Sequence, residues 1–232
     1  MPRAIEPDVR MTWNHLLFLH WRVEPAVMRR LIPAELDVDE FDGSAWVGLV
    51  PFRMEESRFR GVPRLPGLHD FYECNVRTYV RGGGRSGVWF FSLDAATLLP
   101  VLGGRWLWSL NYVHSRFAVT QDADVTDYRL ERALGPWPSG RTRIRWRVGE
   151  AVPASVPGSL EHFLTERYWL FTKRFGRVLA GEVKHAPWSL RRAEVLDLDD
   201  SLVRAAGLRV SGEPIALAGD RLGVEGFKLR AI

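Results

Sequence analysis

The sequence is short of cysteine, of lysine and of long apolar runs, and each shortage excludes something. With a single cysteine, Cys74, no intramolecular disulfide framework can form, which fits a reducing compartment. No apolar run approaches the roughly 18 residues that span a bilayer. The N-terminal MPRAIEPDVR is charged with no apolar stretch after it, so no signal peptide is expected. The cytoplasm is the expected location, with no membrane partner. Lysine occurs only at Lys173, Lys184 and Lys228. Motifs of the G-x-S-x-G, P-loop and H-E-x-x-H types are also missing. The histidines show no ligand spacing, since His15 and His20 would point to opposite faces of a strand. A metal site would need His20, His114 and His185 to meet in the tertiary structure; core or hydrogen-bonded histidines are the simpler reading. No cofactor and no metal are expected.

What is present is arginine, aromatic residues and alternation. The net charge of +4 does not point to nucleic acid, because the arginines are scattered. The densest basic run, RTRIRWRV from Arg141, has period two: Arg141, Arg143, Arg145 and Arg147 share one strand face, and Thr142, Ile144, Trp146 and Val148 the other. A half-exposed strand with a solvated basic face is expected. At 232 residues the chain can bury one large core, and residues 1–232 are expected to form a single domain.

Strand patterns dominate: Asn14 to Val23, Leu36 to Phe41, Ala45 to Met54, Phe71 to Asp94 as a hairpin, Tyr112 to Thr120, Val125 to Ala133, Arg141 to Ala151, Val178 to Lys184, Trp188 to Leu198 and Leu222 to Leu229. Asp42-Gly43 is a hairpin signal. Helices are expected near Pro25 to Ile32, from Ser159 to about Leu170 with Ser159 as N-cap, at Asp199 to Ala206, and in part of Ala95 to Trp108. Many strands, few helices and no βαβ rhythm argue for a mainly β barrel or sandwich. Gly82, Gly84 and Gly87 literally satisfy G-x-G-x-x-G, but the strand VWFFSLD follows instead of a helix, so the glycines read as a hairpin loop.

FYECNVRTYV is the segment richest in chemistry. One face carries Phe71, Glu73, Asn75, Arg77 and Tyr79; the other carries Tyr72, Cys74, Val76, Thr78 and Val80. The second face belongs in a core, where Cys74 is a buried inert thiol. The first sets a carboxylate, an amide, a guanidinium and a phenol in a row, which lines a polar cavity or forms an ion-pair ladder in water. Flanking Phe71 and Tyr79 favour enclosure. Ser92 and Asp94 are candidate partners for the row, but the hairpin loop leaves the register undetermined, and a one-residue slip moves them to the opposite face.

The blocks from Trp13 to Trp21, DGSAWVGLVPF from Asp42, FYECNVRTYV, GVWFFSLDA, ERYWL from Glu166 and VKHAPW from Val183 resemble the uncharacterised bacterial YqjF-like family, grouped with the acetoacetate decarboxylase-like superfamily. The resemblance implies a cone-shaped, largely antiparallel β-barrel with a few short helices and a central, polar-mouthed cavity. Acetoacetate decarboxylase uses a lysine with a depressed pKa to form a Schiff base with a β-keto acid. Asn111-Tyr112 stands roughly where its Pro-Lys would be, and no lysine precedes Lys173 here, so Schiff-base chemistry is not expected. Glu73 resembles that enzyme's cavity glutamate, and Arg105 loosely resembles an arginine of its preceding helix.

Two function classes remain. One is a lysine-independent lyase or hydrolase-type enzyme acting on a small carboxylate or carbonyl compound. Glu73 would be its general acid/base, Arg77 a clamp, and Tyr112 or His114 an aid to proton transfer. The other is a non-catalytic binder or structural protein. Asn75, Tyr79, Asp94, Arg105, His20 and His185 are the further candidate ligand-binding residues. A small molecule is the expected partner, and a homo-oligomer is left open.

Overall fold

The computed structural model describes residues 6–63, 69–97, 108–133 and 135–232. Among these residues strands hold 59% and helices 7%. The strands join in one sheet that closes on itself twice. The first ring runs through β1 (Val9–Asn14), β4 (Ala45–Phe59), β5 (Phe71–Gly82), β6 (Arg85–Ala95), β10 (Trp169–Arg174), β11 (Arg177–His185) and β14 (Leu222–Gly226), which pairs back to β1. The second shares β4, β5 and β6. It continues through β7 (Tyr112–Asp122), β8 (Val125–Arg132), β9 (Arg141–Ala151), β12 (Leu190–Asp200), β13 (Ile215–Gly219) and β2 (Leu16–Val23), which returns to β4. Short strands β3 (Asp37–Val38) and β15 (Arg230–Ala231) pair with β5 and β11. The pairings are antiparallel except for β6 with β10 and β6 with β7.

Strand β5 has different surroundings on its two faces. Cys74, Val76 and Val80 join the largest apolar cluster, with Leu17, Leu19, Val47, Leu49, Tyr128, Ile144 and Trp146. Burial pushes the Cys74 thiol well above its ordinary value, as an inert core thiol requires. The basic face of β9 is exposed as its alternation predicts, with Arg143 near Asp127 and Asp197, and Arg147 near Asp124 and Glu194. Such exposed pairs contribute little to stability.

The glycine triplet serves packing. Gly83 and Gly84 take positive φ (55° and 73°) between the paired residues Gly82 and Arg85, forming the two-residue turn that suits a right-twisted hairpin. Gly87 lies where β10 crosses: a Cβ there would sit 2.3 Å from the Trp169 carbonyl oxygen. Only glycine permits this parallel approach.

Several expected elements need correction. The first expected strand, Asn14 to Val23, is β2 and begins at Leu16; β1 before it was not foreseen, and His15 between them takes a positive φ of 49°. Asp42-Gly43 does make a tight turn, closed by the Phe41–Ser44 bridge, but β3 pairs with β5. Helix α1 spans Pro25–Arg29. Helix α2 covers only Leu160–Thr165, with the Ser159 hydroxyl accepting from the His162 N–H, and Trp169–Arg174 is strand, where helix was expected to about Leu170. Asp199 and Asp200 still belong to β12, and helix α3 is Leu202–Ala205. Strand β13 was not foreseen. Most of the helical expectation for Ala95 to Trp108 lies outside the described residues.

Candidate functional site

The row on β5 is buried. Glu73 is 2% exposed, Asn75 5%, Arg77 8% and Tyr79 0%, which excludes a ladder in open water. Glu73, Asn75 and Arg77 border a cavity of about 310 Å³, within the usual size range for small-molecule sites. Its remaining wall is mainly apolar: Met11 and Trp13 of β1, Leu16 and Phe18 of β2, Val50, Phe52 and Met54 of β4, Phe90 and Leu93 of β6, and Trp188. Register explains the grouping, because Phe52 stands opposite Glu73, Val50 opposite Asn75 and Phe90 opposite Arg77.

The Glu73 carboxylate accepts a hydrogen bond from the Tyr112 hydroxyl at 3.1 Å, and its backbone carbonyl accepts one from Tyr128 at 2.9 Å. Among the described residues no cation is paired with it. Burial raises its pKa from 4.5 to about 8; the Tyr112 hydrogen bond opposes the shift and the charge of Asp94 adds to it. Burial, with the charge of Glu73, likewise pushes the Tyr112 phenol well above its ordinary value and keeps it a donor.

Arg77 occupies the other end of the row. Its Nη2 donates to the Leu164 carbonyl at 3.1 Å and approaches the Tyr79 hydroxyl at 3.5 Å, and its Cζ lies 5.3 Å from the centre of the Phe18 ring. Among the described residues its buried Nε has no hydrogen-bond partner, nor does Oδ1 of Asn75. Tyr79 donates to the same Leu164 carbonyl at 2.7 Å. Its oxygen therefore accepts from His20 Nε2, 2.6 Å away, which puts the ring proton on Nε2. Burial, then the charges of Arg77 and Arg167, pushes His20 well below its ordinary pKa, so the ring is neutral. Arg167 borders the cavity beside this group. It pairs with Asp39 at 2.6 Å and lies over the Phe163 and Tyr79 rings, with its pKa lowered by burial.

The structure thus brings Glu73, Asn75, Arg77, Tyr112 and, at 5.7 Å from the Trp188 ring, His185 to the cavity. Tyr79 and His20 lie behind Arg77 and do not line it. Half-buried His114, opposite Ala95 on β6, is not in the lining either. Asp94 is a correction. It pairs with Cys74, on the core face, where Arg132 grips it through Nε at 2.8 Å and Nη2 at 2.9 Å, with Ser115 and Ser92 completing its partners. Arg105 lies outside the described residues. Sequence reading missed Arg167 and the aromatic wall, though the ERYWL and VKHAPW blocks carried the signal. Glu166 accepts the Trp188 N–H at 2.9 Å and the Tyr168 hydroxyl at 2.6 Å, while Tyr168 stacks on His185 at 4.6 Å, so the two blocks are joined at the cavity. Among the described residues, no lysine lines the cavity and no cluster of three His, Cys, Asp or Glu side chains could hold a metal ion. No helix there is long and apolar enough to cross a membrane.

Residues 10–222 match the DUF2071 family, described as an uncharacterized conserved protein. This chain belongs to that family. It is 36% identical over 191 residues to the uncharacterized protein YqjF of Bacillus subtilis (strain 168), covering 80% of this chain and 76% of that one. Among solved structures, it superposes with TM-score 0.69 on the enduracididine biosynthesis enzyme MppR, complexed with the condensation product of pyruvate and imidazole 4-carboxaldehyde. The identity there is 15%, covering 98% of this chain and 90% of the other. An acetoacetate decarboxylase-like enzyme from Sphingomonas wittichii RW1 gives TM-score 0.66 at 14% identity, covering 98% and 94%. The DUF2071 chain therefore has the acetoacetate decarboxylase-like fold, and these structural neighbours are enzymes.

Proposed function

We propose that this DUF2071 protein takes a small carboxylate- or carbonyl-bearing ligand into the cavity and transfers a proton on it without a Schiff base. Glu73 is the general acid and base. Tyr112 holds its carboxyl, Arg77 neutralises the ligand's carboxylate, and Asn75 orients the ligand's polar end. The observation that carries this reading is the Glu73 carboxyl: it sits at the wall of an apolar cavity and its pKa is raised to about 8, close to a working pH. A group titrating there donates and accepts protons with comparable ease. The neighbour that holds a condensation product of pyruvate adds support for an oxo acid. By resemblance Tyr112 stands roughly where the superfamily's lysine would be, and its phenol remains protonated, which favours Glu73 as the group that moves the proton.

In such a step the Glu73 carboxylate takes a proton from the carbon beside the ligand's carbonyl. The bonding pair moves onto the carbonyl oxygen as an enolate, and the Glu73 carboxyl, after exchanging with solvent, returns a proton to the carbon. Incubating the protein with pyruvate or acetoacetate in deuterium oxide and following the α-proton signal by NMR tests it. Exchange should exceed that in buffer, rise as pH passes 8 and vanish in Glu73→Gln. Equal exchange in that variant would sink the assignment; binding without exchange would make the cavity a non-catalytic binding site.

A further inference from the structure

The two polar ends of the cavity are too far apart for one short oxo acid, and resting on the reading above, we propose that the natural ligand is an aromatic acid with a carbonyl across the ring from its carboxylate. The carboxylate sits on Arg77, the ring lies along the wall of Phe18, Trp188, Trp13 and Phe52, and the carbonyl reaches Glu73.

The anion end follows from charge. Arg77 is 8% exposed and has no carboxylate partner among the described residues. Neighbouring Arg167 is already matched by Asp39 at 2.6 Å. Among the described residues Arg77 is thus a buried cation with no carboxylate paired to it, and its Nε has no hydrogen-bond partner there. A buried guanidinium in that state calls for an anion. Asn75 Oδ1 and Trp13 Nε1, also buried and without a partner among the described residues, are further points for polar ligand atoms at the same cavity.

The length follows from the strand. Residues four apart on β5 stand about 13 Å apart at Cα. The Arg77 side chain does not close that distance: it is held toward Leu164, with its Cζ 5.3 Å from the Phe18 ring. Acetoacetate or pyruvate carries its carboxylate within a bond or two of its carbonyl and reaches one end at a time. The space between is aromatic and continuous. Phe18 meets Trp188 edge-on at 5.3 Å, Trp188 stacks on Trp13 at 6.1 Å, and Trp13 meets Phe52 edge-on at 5.9 Å, with Phe52 opposite Glu73. The wall therefore runs from the arginine to the carboxyl. A volume of about 310 Å³ equals roughly ten waters, which such a wall solvates poorly. A ring displaces them and meets the wall in the edge and stacked geometries that aromatic pairs prefer.

The test is calorimetric titration of the full chain at pH 6, where Glu73 keeps its proton, with acetoacetate, benzoate and 4-acetylbenzoate. The expected order is 4-acetylbenzoate tightest, benzoate weaker and acetoacetate weakest, with at least about tenfold between first and last. Arg77→Met should weaken both aryl acids about tenfold or more. The wild-type order needs no variant, so poor folding of Arg77→Met does not shield the proposal. Acetoacetate binding as tightly as 4-acetylbenzoate would overturn the aromatic class while leaving the Glu73 reading intact. Failure of all three to bind, or aryl-acid affinities that folded Arg77→Met leaves unchanged, would overturn the ligand proposal and the role of Arg77 together.

Discussion

Replacing Glu73 with glutamine should make the protein relatively more stable as pH rises, the reverse of what removing a paired carboxylate does. The folded carboxyl titrates near 8 and the unfolded one near 4.5, because burial disfavours the charge. Between those values the folded protein holds a proton that the unfolded chain has released. The stability contributed by this group is therefore fully present below about pH 4.5 and is lost as pH rises through 8. Each pH unit is worth about 1.4 kcal/mol, so the gap comes to about 5 kcal/mol, an upper figure for a buried group that can relax. Glutamine keeps the shape, accepts the Tyr112 hydrogen bond and carries no proton to lose. Urea unfolding of both proteins at pH 5 to 9 isolates the effect, since all other groups titrate alike in the two. The stability of Glu73→Gln minus that of the wild type should climb by about 3–5 kcal/mol across that range. A difference flat to within about 0.5 kcal/mol would mean that the carboxyl is solvated or paired, and it would remove the physical basis of its proposed role.

Three further outcomes are expected. Borohydride added with acetoacetate should leave no reduced adduct, because none of the three lysines borders the described cavity and Lys173 is ion-paired with Glu35; peptide mapping of an adduct to Lys173, Lys184 or Lys228 would contradict this. Asp94→Asn strips the charge partner from Arg132, whose side chain is 4% exposed, and should cost about 3–5 kcal/mol in denaturant unfolding; a loss under about 1 kcal/mol would show that the pair is not buried. Gly87→Ala forces a Cβ against the Trp169 carbonyl and should lower stability by about 1–3 kcal/mol or more, whereas Arg143→Ala on the exposed face of β9 should shift it by less than about 0.5 kcal/mol; equal thermal midpoints for the two variants would refute the close approach of β6 and β10.

The fold was legible wherever a strand alternates for long enough to declare a face. The β5 row and the basic face of β9 stand as their periods predict, and the aromatic blocks carried the resemblance to the family. Strand β10 was hidden because Leu160, Phe163, Leu164 and Tyr168 keep helical spacing past the point where α2 stops. Its strand state depends on pairing with distant β6 and β11, which local periodicity does not encode. The double closure of the sheet was hidden for the same reason: β4 changes partner from β2 to β1 along its length.

The placement of Asp94 shows how one residue decides the chemistry of the site. Counting back from the Gly83-Gly84 turn, Arg85 pairs with Gly82 and Phe90 with Arg77. Continued unbroken, that register would set Ser92 opposite Asn75 and Asp94 opposite Glu73, with both carboxylates in the cavity. The register instead shifts at Phe91, the unpaired residue of a bulge, so Ser92 meets Val76 and Asp94 meets Cys74. Alternation through FFSLD gives no sign of the shift, because apolar residues fall on both faces. The bulge turns Asp94 into the core, where it meets Arg132. Glu73 is left as the one carboxylate of its row, with a tyrosine for a partner where a cation would have held its pKa low. A bulge that re-aims one side chain thus separates a structural carboxylate from one able to exchange a proton near neutral pH.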